Sequence, residues 1–276
     1  MNEIDRRRAL VRRILPRAGR LALGHFRAPG LKIDLKSAQD PVTEADLAVE
    51  EYLYSAISAA FPGDGFLCEE RGAVGELGND NYVWVIDPID GTANYARGIP
   101  HWCISVALVR GDRVELGFIE DPVDRERFEA ARDAGATLNG RPLLGQWAAT
   151  LGEARVNVGF SYRRPPELHL RGISLLLDAG CEYSRLASGA LGLAWLACGR
   201  FDGYWEPHIN AWDAAAGIAI AREAGAWING FFDGDGLLGG NPLLACGPRI
   251  ARDLLALLEP INEESRRLAN RGGGKK

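Results

Sequence analysis

The stretch Val85-Ile86-Asp87-Pro88-Ile89-Asp90-Gly91-Thr92 decides how this chain folds and where its chemistry lies. An apolar strand delivers Asp87 at its carboxyl end, and a turn fixed by proline brings Asp90 close behind it. Gly91 and Thr92 then open a short predicted helix, whose amides would point at an anion. Two carboxylates on one tight turn suit a hard divalent cation such as Mg²⁺. The alternative is an ordinary Asp-Pro turn followed by an Asp-Gly turn.

Two further groups of carboxylates precede this strand. Asp46 follows Thr43 at the spacing of a capping box, at the start of a predicted helix, although the usual partner at that position is Glu or Gln. Glu69 and Glu70 stand before a glycine-rich loop, where a solvated charged loop is the common explanation. Taken singly, both groups have a purely structural explanation.

The second half of the chain adds two acidic candidates. Asp213 stands just before an alanine-rich helix pattern and is predicted to be its N-cap, although a carboxylate there could instead complete a metal site. Glu206 follows the aromatic strand residues Tyr204 and Trp205, and it faces either solvent or a cleft.

Composition restricts the class of protein. The 276 residues include 32 Lys plus Arg and 37 Asp plus Glu, which gives a formal net charge of −5. A mildly acidic chain offers no overall positive field to attract nucleic acid or an anionic membrane. Apolar residues make up 47% and charged residues 25%, the balance of an ordinary globular protein. No run approaches the roughly 20 apolar residues of a membrane span. We therefore expect neither a nucleic-acid partner nor a membrane partner.

Cysteine usage and the N-terminus indicate the compartment. The cysteines are five in number and form no C-x-x-C pair, which argues against a disulfide framework or a structural zinc site and for a reducing cytoplasm. The Arg-rich residues 1–23 carry apolar side chains at helical spacing, so they are predicted to form the first helix of the fold instead of a transit peptide.

The rest of the chain alternates between helix and strand patterns, which is typical of a layered α/β (α+β) fold. We predict an N-terminal α+β domain at residues 1–147, carrying most of the site, and a C-terminal α/β domain at residues 148–276 that completes it. The predicted strands include Ile104–Val109 and Val114–Ile119, paired as a hairpin, with Ala154–Val158 and Phe201–Trp205; the predicted helices of the second half are Glu167–Ala179, Ala190–Ala197 and Ala214–Ala224.

Joined in this order and spacing, four blocks of the sequence resemble the inositol monophosphatase family. The resemblance covers nearly the whole chain, from about Lys36 to Gly225. The blocks are Asp40-x-Val42-Thr43-x-x-Asp46, Glu69-Glu70, Asp87-Pro88-Ile89-Asp90-Gly91-Thr92-x-Asn94 and Trp212-Asp213-x-Ala215-x-Gly217.

Proteins of this family are Mg²⁺-dependent, lithium-sensitive phosphomonoesterases with a layered αβαβα fold, and they are usually dimers. The resemblance therefore implies two or three Mg²⁺ ions per site and a homodimer. It implies that Glu69, Asp87 and the Ile89 carbonyl hold a first ion, that Asp87, Asp90 and Asp213 hold a second, and that Glu69 also serves a weaker third. The implied catalytic residues are Thr92, Asp46 and Glu69, with Thr92, held by Asp46, orienting the attacking water. The implied substrate-binding residues are Ile89, Asp90, Gly91, Thr92, Ala187, Ser188, Gly189, Glu206 and Asp213.

The activity implied by the resemblance is hydrolysis of a small phosphate monoester, with inositol monophosphate first, to alcohol and inorganic phosphate by metal-activated water. Histidinol-phosphate phosphatase, fructose-1,6-bisphosphatase and 3′-phosphoadenosine-5′-phosphate phosphatase share the chemistry and stay open. Because no basic cluster stands near Trp205–Ala211, the sequence favours a monophosphate over a bisphosphate. A rival of another class is a regulatory binding protein that retains the fold and docks to RNA or transcription machinery, although the complete carboxylate set argues against it.

Two features depart from the family pattern or stay ambiguous. Cys68 stands where the family usually has Gly, which puts the backbone before Glu69 and its metal site in doubt. His208 and Asn210 are equally well explained as substrate contacts and as loop residues.

Overall fold

The computed structural model describes residues 2–37, 40–78 and 80–272. The strands in chain order are β1 (Ile33–Ser37), β2 (Asp40–Thr43), β3 (Gly65–Cys68), β4 (Gly72–Val74), β5 (Val83–Asp90), β6 (Cys103–Arg110), β7 (Arg113–Asp121), β8 (Glu126–Ala131), β9 (Ala136–Leu138), β10 (Arg141–Leu143), β11 (Arg155–Val158), β12 (Glu182–Ser184), β13 (Gly203–Ile209), β14 (Trp227–Ile228) and β15 (Asn241–Cys246). The helices are α1 (Glu3–His25), α2 (Glu44–Ala60), α3 (Thr92–Ala96), α4 (Pro166–Asp178), α5 (Gly189–Ala197), α6 (Ala211–Glu223), α7 (Gly236–Gly239) and α8 (Ala251–Gly272), with a 3₁₀ turn at Leu151–Glu153.

Two sheets carry the architecture. The larger has the strand order β10-β9-β8-β7-β6-β5-β3-β4, and the smaller has the order β12-β11-β13-β15-β14. The predicted hairpin is confirmed, since β6 and β7 pair antiparallel with Arg110 opposite Arg113. Within the larger sheet, β3 runs parallel to β5, so that the carboxyl ends of these two neighbours lie at the same edge.

Helices and sheets stack in five layers, which are packed together by three clusters of buried apolar side chains. Helices α1 and α2 cover the outer face of the larger sheet, while α5 and α6 lie between the two sheets. Helices α4 and α8 cover the outer face of the smaller sheet. The order α–β–α–β–α is the layered fold that the family resemblance implied.

Small side chains allow the middle layer to be thin. Helix α6 is made largely of alanine and is buried from Ala214 to Ala221. A Cβ added to Gly117 of β7 would lie 2.6 Å from the Ala216 carbonyl oxygen, closer than van der Waals contact permits. Any larger residue there would push α6 away from the sheet, so the position of this helix is fixed by close packing.

The structure contains elements that the sequence patterns did not indicate. Helix α8 is long and amphipathic, and it buries Leu254, Leu258 and Ile261 against the smaller sheet. The division into domains at residues 147 and 148 stays a prediction; α5 and α6, from the second half, pack against strands of the first. Within the described residues, no helix is both long and apolar enough to cross a membrane.

Candidate metal centre and cleft

The edge where β3 and β5 end in parallel gathers the acidic residues of the first half. The Glu69 amide, just beyond β3, donates to the Ile86 carbonyl at 3.1 Å, which continues the parallel pairing up to the site. Asp87 and Asp90 lie at the end of β5, where the pairing with β6 shifts register between them. The irregular strand end turns both carboxylates toward one place, and the Asp87 carboxylate accepts the Ile89 amide at 2.9 Å.

Asp213 completes this group from the other half of the chain. Carboxylate oxygens of Asp87, Asp90 and Asp213 all lie within 4.8 Å of one another. The prediction that Asp213 is the N-cap of its helix is wrong: α6 begins at Ala211 after an extended Asn210, and Asp213 lies in the first turn. The Asn210 side chain donates to the Asp213 carboxylate at 3.2 Å, so one of the two residues left ambiguous by the sequence orients an acidic group of the cluster.

The clustered carboxylates repel one another. Burial raises the pKa of Asp87 well above its usual range, and the charges of Glu69, Asp90 and Asp213 raise it further. Burial and the charges of Asp90 and Glu69 act on the pKa of Asp213 in the same direction. Burying several like charges together raises the free energy of the folded state unless protons or a cation compensate the charge. A set of hard carboxylate oxygens in this spacing fits Mg²⁺, so the donors present match the predicted ion.

Asp90 has a second set of partners in helix α5. Its carboxylate accepts the Ser188 hydroxyl at 2.5 Å and the amides of Ala190 and Gly189 at 2.7 and 3.2 Å. These donors lower its pKa against the larger effect of burial, which raises it. A carboxylate from the larger sheet thus satisfies the free amides at the start of a helix of the middle layer. Ser188, predicted as a substrate contact, holds Asp90 in this structure.

A buried chain of hydrogen bonds runs from α3 to α2. The Thr92 hydroxyl lies 3.1 Å from the Asp46 carboxylate and 2.9 Å from the Ile89 carbonyl. Asp46 also accepts the Thr43 hydroxyl and amide, at 2.5 and 2.8 Å, which confirms the capping box. Asp46 is fully buried, and burial is the main cause that raises its pKa to about 7. One carboxylate therefore both caps α2 and faces Thr92.

The turn into α3 requires glycine. Gly91 has φ of 96°, and a Cβ there would lie 3.1 Å from the His101 carbonyl oxygen and 3.2 Å from that of Ala187. Ala187 itself has φ of 60°, an uncommon backbone conformation for a residue with a side chain. The two strained positions face each other where the segment before α5 meets the end of β5.

A cleft of about 500 Å³ opens over the acidic cluster. It brings together the predicted residues Glu69, Asp87, Ile89, Asp90, Gly91, Thr92, Ala187, Ser188, Gly189, Glu206 and Asp213. Asp46 does not line the cleft, but it contacts Thr92, which does. Glu206 is 7% exposed, accepts the Tyr204 hydroxyl at 2.6 Å, and has its pKa raised to about 8, chiefly by burial.

His208 lines the cleft with both ring nitrogens engaged. Nε2 lies 3.0 Å from the Gly239 carbonyl oxygen and Nδ1 lies 3.4 Å from the Ser161 hydroxyl. Burial is the main cause that lowers its pKa to about 4, so the ring is neutral near pH 7.

Cys68 does not disturb the backbone before Glu69. It is the last residue of β3, pairs with Ile86, and packs fully buried in the cluster beneath α2. The extended backbone at this position accepts a side chain, and the apolar layer has room for it.

Sequence reasoning missed the basic side of the cleft. Arg163 and Arg185 both line it, and both act on Glu206 by lowering its pKa. The expectation that no basic cluster lies near Trp205–Ala211 is therefore wrong. The two arginines come from separate loops, and only the fold brings them to the same place.

Comparison with known proteins agrees with this geometry. A family model described as "Inositol monophosphatase family" matches residues 5–264. A Nus factor SuhB of Pasteurella multocida is 36% identical over 242 residues, which are 87% of this chain and 90% of that protein. An inositol-1-monophosphatase of Mesorhizobium japonicum is 36% identical over 236 residues, 84% of this chain and 88% of that protein. The solved inositol monophosphatase of Anabaena (Nostoc) sp. PCC 7120 superposes with a TM-score of 0.79 at 31% identity, covering 91% of this chain and 94% of that one.

Proposed function

Because this chain belongs to the inositol monophosphatase family, we propose that it is a Mg²⁺-dependent phosphomonoesterase of small polyol phosphates, with inositol monophosphate as the first candidate. The observation that carries the proposal is the cluster of Asp87, Asp90 and Asp213 beside the hydrogen-bonded pair of Thr92 and Asp46. Relatives named inositol-1-monophosphatase support the substrate. Histidinol phosphate, fructose 1,6-bisphosphate and 3′-phosphoadenosine 5′-phosphate remain alternatives.

The residues that would hold Mg²⁺ form two overlapping sets. Glu69, Asp87 and the Ile89 carbonyl make the first, and Asp87, Asp90 and Asp213 make the second, with Glu69 also serving a weaker third ion. When bound, Mg²⁺ would lower the pKa of a coordinated water and neutralise charge on the phosphate and the leaving oxygen. Lithium at millimolar concentration should compete at the second set and inhibit.

Thr92 and Asp46 orient the attacking water. When the Thr92 hydroxyl donates its proton to Asp46, its oxygen lone pair is free to accept a hydrogen bond from a water in the cleft. Asp46 can then receive a proton through Thr92, because burial has raised its pKa to about 7 and so made it a better base than an exposed aspartate. Both residues are fixed by hydrogen bonds before any substrate arrives, which favours a single direction of attack.

The remaining predicted residues surround the phosphate and the alcohol. The amides of Gly91 and Thr92 would hold the phosphate at the start of α3, while Glu206 and the segment from Ala187 to Gly189 would face the alcohol part. Glu206, with a pKa of about 8, carries a proton near neutral pH and can donate to a substrate hydroxyl.

A panel of phosphate esters tests the proposal. The purified chain should release inorganic phosphate from at least one ester in Mg²⁺ and from none in chelator, and the Asp213→Asn variant should lose this release. Hydrolysis of no ester in Mg²⁺ would rule out the proposed activity.

A second candidate is a regulatory factor that retains the phosphatase fold. Several relatives named Nus factor SuhB support it, while the complete carboxylate cluster supports an enzyme. The two functions can coexist in one chain. Failure of every ester in the panel, with Mg²⁺ binding intact, would leave the regulatory role as the better explanation.

We further propose a cytoplasmic homodimer. Light scattering on the eluting protein should then give twice the chain mass of 29.9 kDa, and a mass of one chain would contradict the dimer.

A further inference from the structure

The charged residues of the cleft fall into an acidic group and a basic group. Glu69, Asp87, Asp90 and Asp213 form the acidic group, and the same cleft is also lined by Glu206, Arg163 and Arg185. The charges that most affect the pKa of Asp87 and Asp213 are those of other carboxylates, whereas both arginines act on Glu206. The packing agrees with this: Arg185 lies over the Phe160 ring, and a Cβ added to the preceding Gly159 would lie 2.0 Å from a carboxylate oxygen of Glu206. We therefore place the basic group on the side of Glu206, where the alcohol part of a substrate would be.

Neither guanidinium group is held by a carboxylate partner within the described residues. In the described part of the chain, the guanidinium groups of Arg163 and Arg185 take part in no ion pair, and both side chains are exposed in the cleft. Their neighbours in sequence and space differ in this respect. Arg164 donates to the Ser265 hydroxyl at 2.8 Å, Arg171 pairs with Glu264 at 2.7 Å, and Arg155 pairs with Glu182.

Aromatic packing holds one of these arginines in place. The Arg185 guanidinium lies 5.8 Å from the centre of the Phe160 ring, a cation–π distance. Phe160 in turn contacts Tyr162 and His169 edge-on, at 4.8 and 5.0 Å between ring centres. A guanidinium kept over a supported ring loses less conformational freedom when it binds an anion.

We propose that the basic group formed by Arg163 and Arg185 binds a second phosphate, carried by the alcohol part of the substrate, while the acidic group and its cations hold the phosphate that is hydrolysed. The inference rests on the proposed phosphatase activity and, within it, favours small polyol or sugar bisphosphates over the first candidate, inositol monophosphate. Guanidinium groups form paired, charge-assisted hydrogen bonds with phosphate oxygens. A neutral polyol would itself offer no anionic group to the two guanidinium groups. A cleft of about 500 Å³ has room for a six-carbon alcohol with two phosphates.

Matched substrate pairs test the inference. Inositol 1-phosphate is compared with inositol 1,4-bisphosphate, and fructose 1-phosphate with fructose 1,6-bisphosphate, by phosphate release in Mg²⁺. The wild-type chain should show a higher kcat/KM for the bisphosphate of at least one pair. In Arg163→Gln and Arg185→Gln, the ratio of the bisphosphate to the monophosphate kcat/KM should fall roughly tenfold, mainly through KM.

Two further variants separate charge from shape. Arg171→Gln removes one positive charge outside the cleft and should leave the ratio unchanged. Arg185→Lys keeps the charge and should recover part of the ratio. Isothermal titration calorimetry provides a readout that does not depend on turnover: a bisphosphate whose scissile ester is replaced by a phosphonate should bind more weakly to both Gln variants than to wild type.

The possible outcomes separate the inference from the function on which it rests. If wild type hydrolyses no ester, the phosphatase activity itself fails. If wild type hydrolyses monophosphates but shows no preference for a second phosphate, only the inference is overturned. A preference that survives in both Gln variants would also overturn it, because the second phosphate would then bind elsewhere.

Discussion

The Ser188 hydroxyl donates a 2.5 Å hydrogen bond to the Asp90 carboxylate, across 98 positions of sequence. With the amides of Gly189 and Ala190, this bond makes Asp90 both a member of the acidic cluster and the cap of α5. The Asp87 carboxylate instead accepts the amide of the nearby Ile89, which belongs to the same strand. Replacing Asp90 should therefore affect stability as well as activity, and replacing Asp87 should affect activity alone.

The Asp87→Asn and Asp90→Asn variants should both lose turnover, by roughly 100-fold or more, because each removes an anionic oxygen from the cluster. Only Asp90→Asn should also unfold more easily, by about 1–3 kcal/mol, since an amide NH₂ would face the donors at the start of α5. Phosphate release and chemical denaturation measure the two effects. Wild-type kcat in Asp90→Asn would contradict its assignment, and equal stability of the two variants would contradict its role as a cap.

Thr92→Val should lower kcat by roughly 100-fold, because it removes the hydroxyl between the cleft and Asp46 while nearly keeping the volume of the side chain. Thr92→Ser keeps the hydroxyl and should retain most of the activity. Steady-state kinetics with saturating Mg²⁺ compare the three forms. If Val and Ser variants are equally active, Thr92 has no part in orienting water.

The metal-free protein should be more stable at pH 5 than at pH 8. The pKa values of Asp46, about 7, and of Glu206, about 8, are raised by burial, as is that of Asp87. A carboxyl group whose pKa is higher in the folded state stabilises the fold below its unfolded pKa, near 4, and this contribution is lost as pH rises through the folded value. Each titrating group changes the unfolding free energy by about 1.4 kcal/mol per pH unit within that window.

Thermal melts in chelator from pH 5 to pH 8 check this dependence. Added Mg²⁺ should raise the Tm most at pH 8, where the carboxylates are ionised and repel one another, and should flatten the profile. The Asp213→Asn variant, which has one charge fewer in the cluster, serves as the control and should show a shallower loss. A Tm that rises with pH in chelator would contradict the direction of these pKa shifts.

Gly91→Ala should destabilise the chain by about 1–3 kcal/mol and reduce activity. A Cβ at φ of 96° meets the carbonyl oxygens of His101 and Ala187, so the residue must change conformation and move the start of α3. Chemical denaturation measures the loss of stability, and steady-state kinetics measure the loss of activity. Gly98→Ala is the control, because Gly98 also has a positive φ but the atoms nearest to a Cβ there all belong to the Arg27 side chain. That side chain can move aside, so this variant should keep its activity.

Cys68→Gly, which restores the residue usual in the family, should destabilise the chain by about 1–3 kcal/mol without raising activity. The thiol is fully buried in the cluster beneath α2, and its loss leaves a cavity and a more flexible strand end. Cys68→Ala should lie between Gly and wild type in denaturation. A gain in kcat or Mg²⁺ affinity in the Gly variant would show that Cys68 weakens the Glu69 site.

Local patterns predicted the elements that position the acidic cluster. The apolar run ending at Asp87, the hairpin of β6 and β7 and the capping box at Thr43 are signals carried by neighbouring residues, and all three are confirmed. Helix α8 has a clear helical spacing at Leu254, Leu258 and Ile261, but Pro260 within it interrupts the pattern, and it was not predicted. The misplaced N-cap at Asp213 is a boundary error of three residues, since the extended Asn210 takes that position.

Contacts between distant segments were beyond the reach of a single sequence. No local feature of Ser188 indicates that it holds Asp90, because the two residues are 98 positions apart and meet only in the folded chain. Arg163 and Arg185 lie in separate loops, so the sequence near Trp205–Ala211 shows no basic cluster.

The close approach of α6 to β7 at Gly117 and Ala216 has a consequence for how this fold can diversify. Asp213 lies on α6, whose position is fixed by this packing. The acidic end of the cleft can therefore change only if the core changes with it. Arg163 lies in an exposed turn outside that packing, whereas Arg185 lies just before Ala187 and Ser188, which contact the end of β5. A lineage built on this scaffold can therefore exchange one substrate for another by replacing exposed side chains such as these two arginines, while the residues proposed to cleave the phosphate ester stay the same.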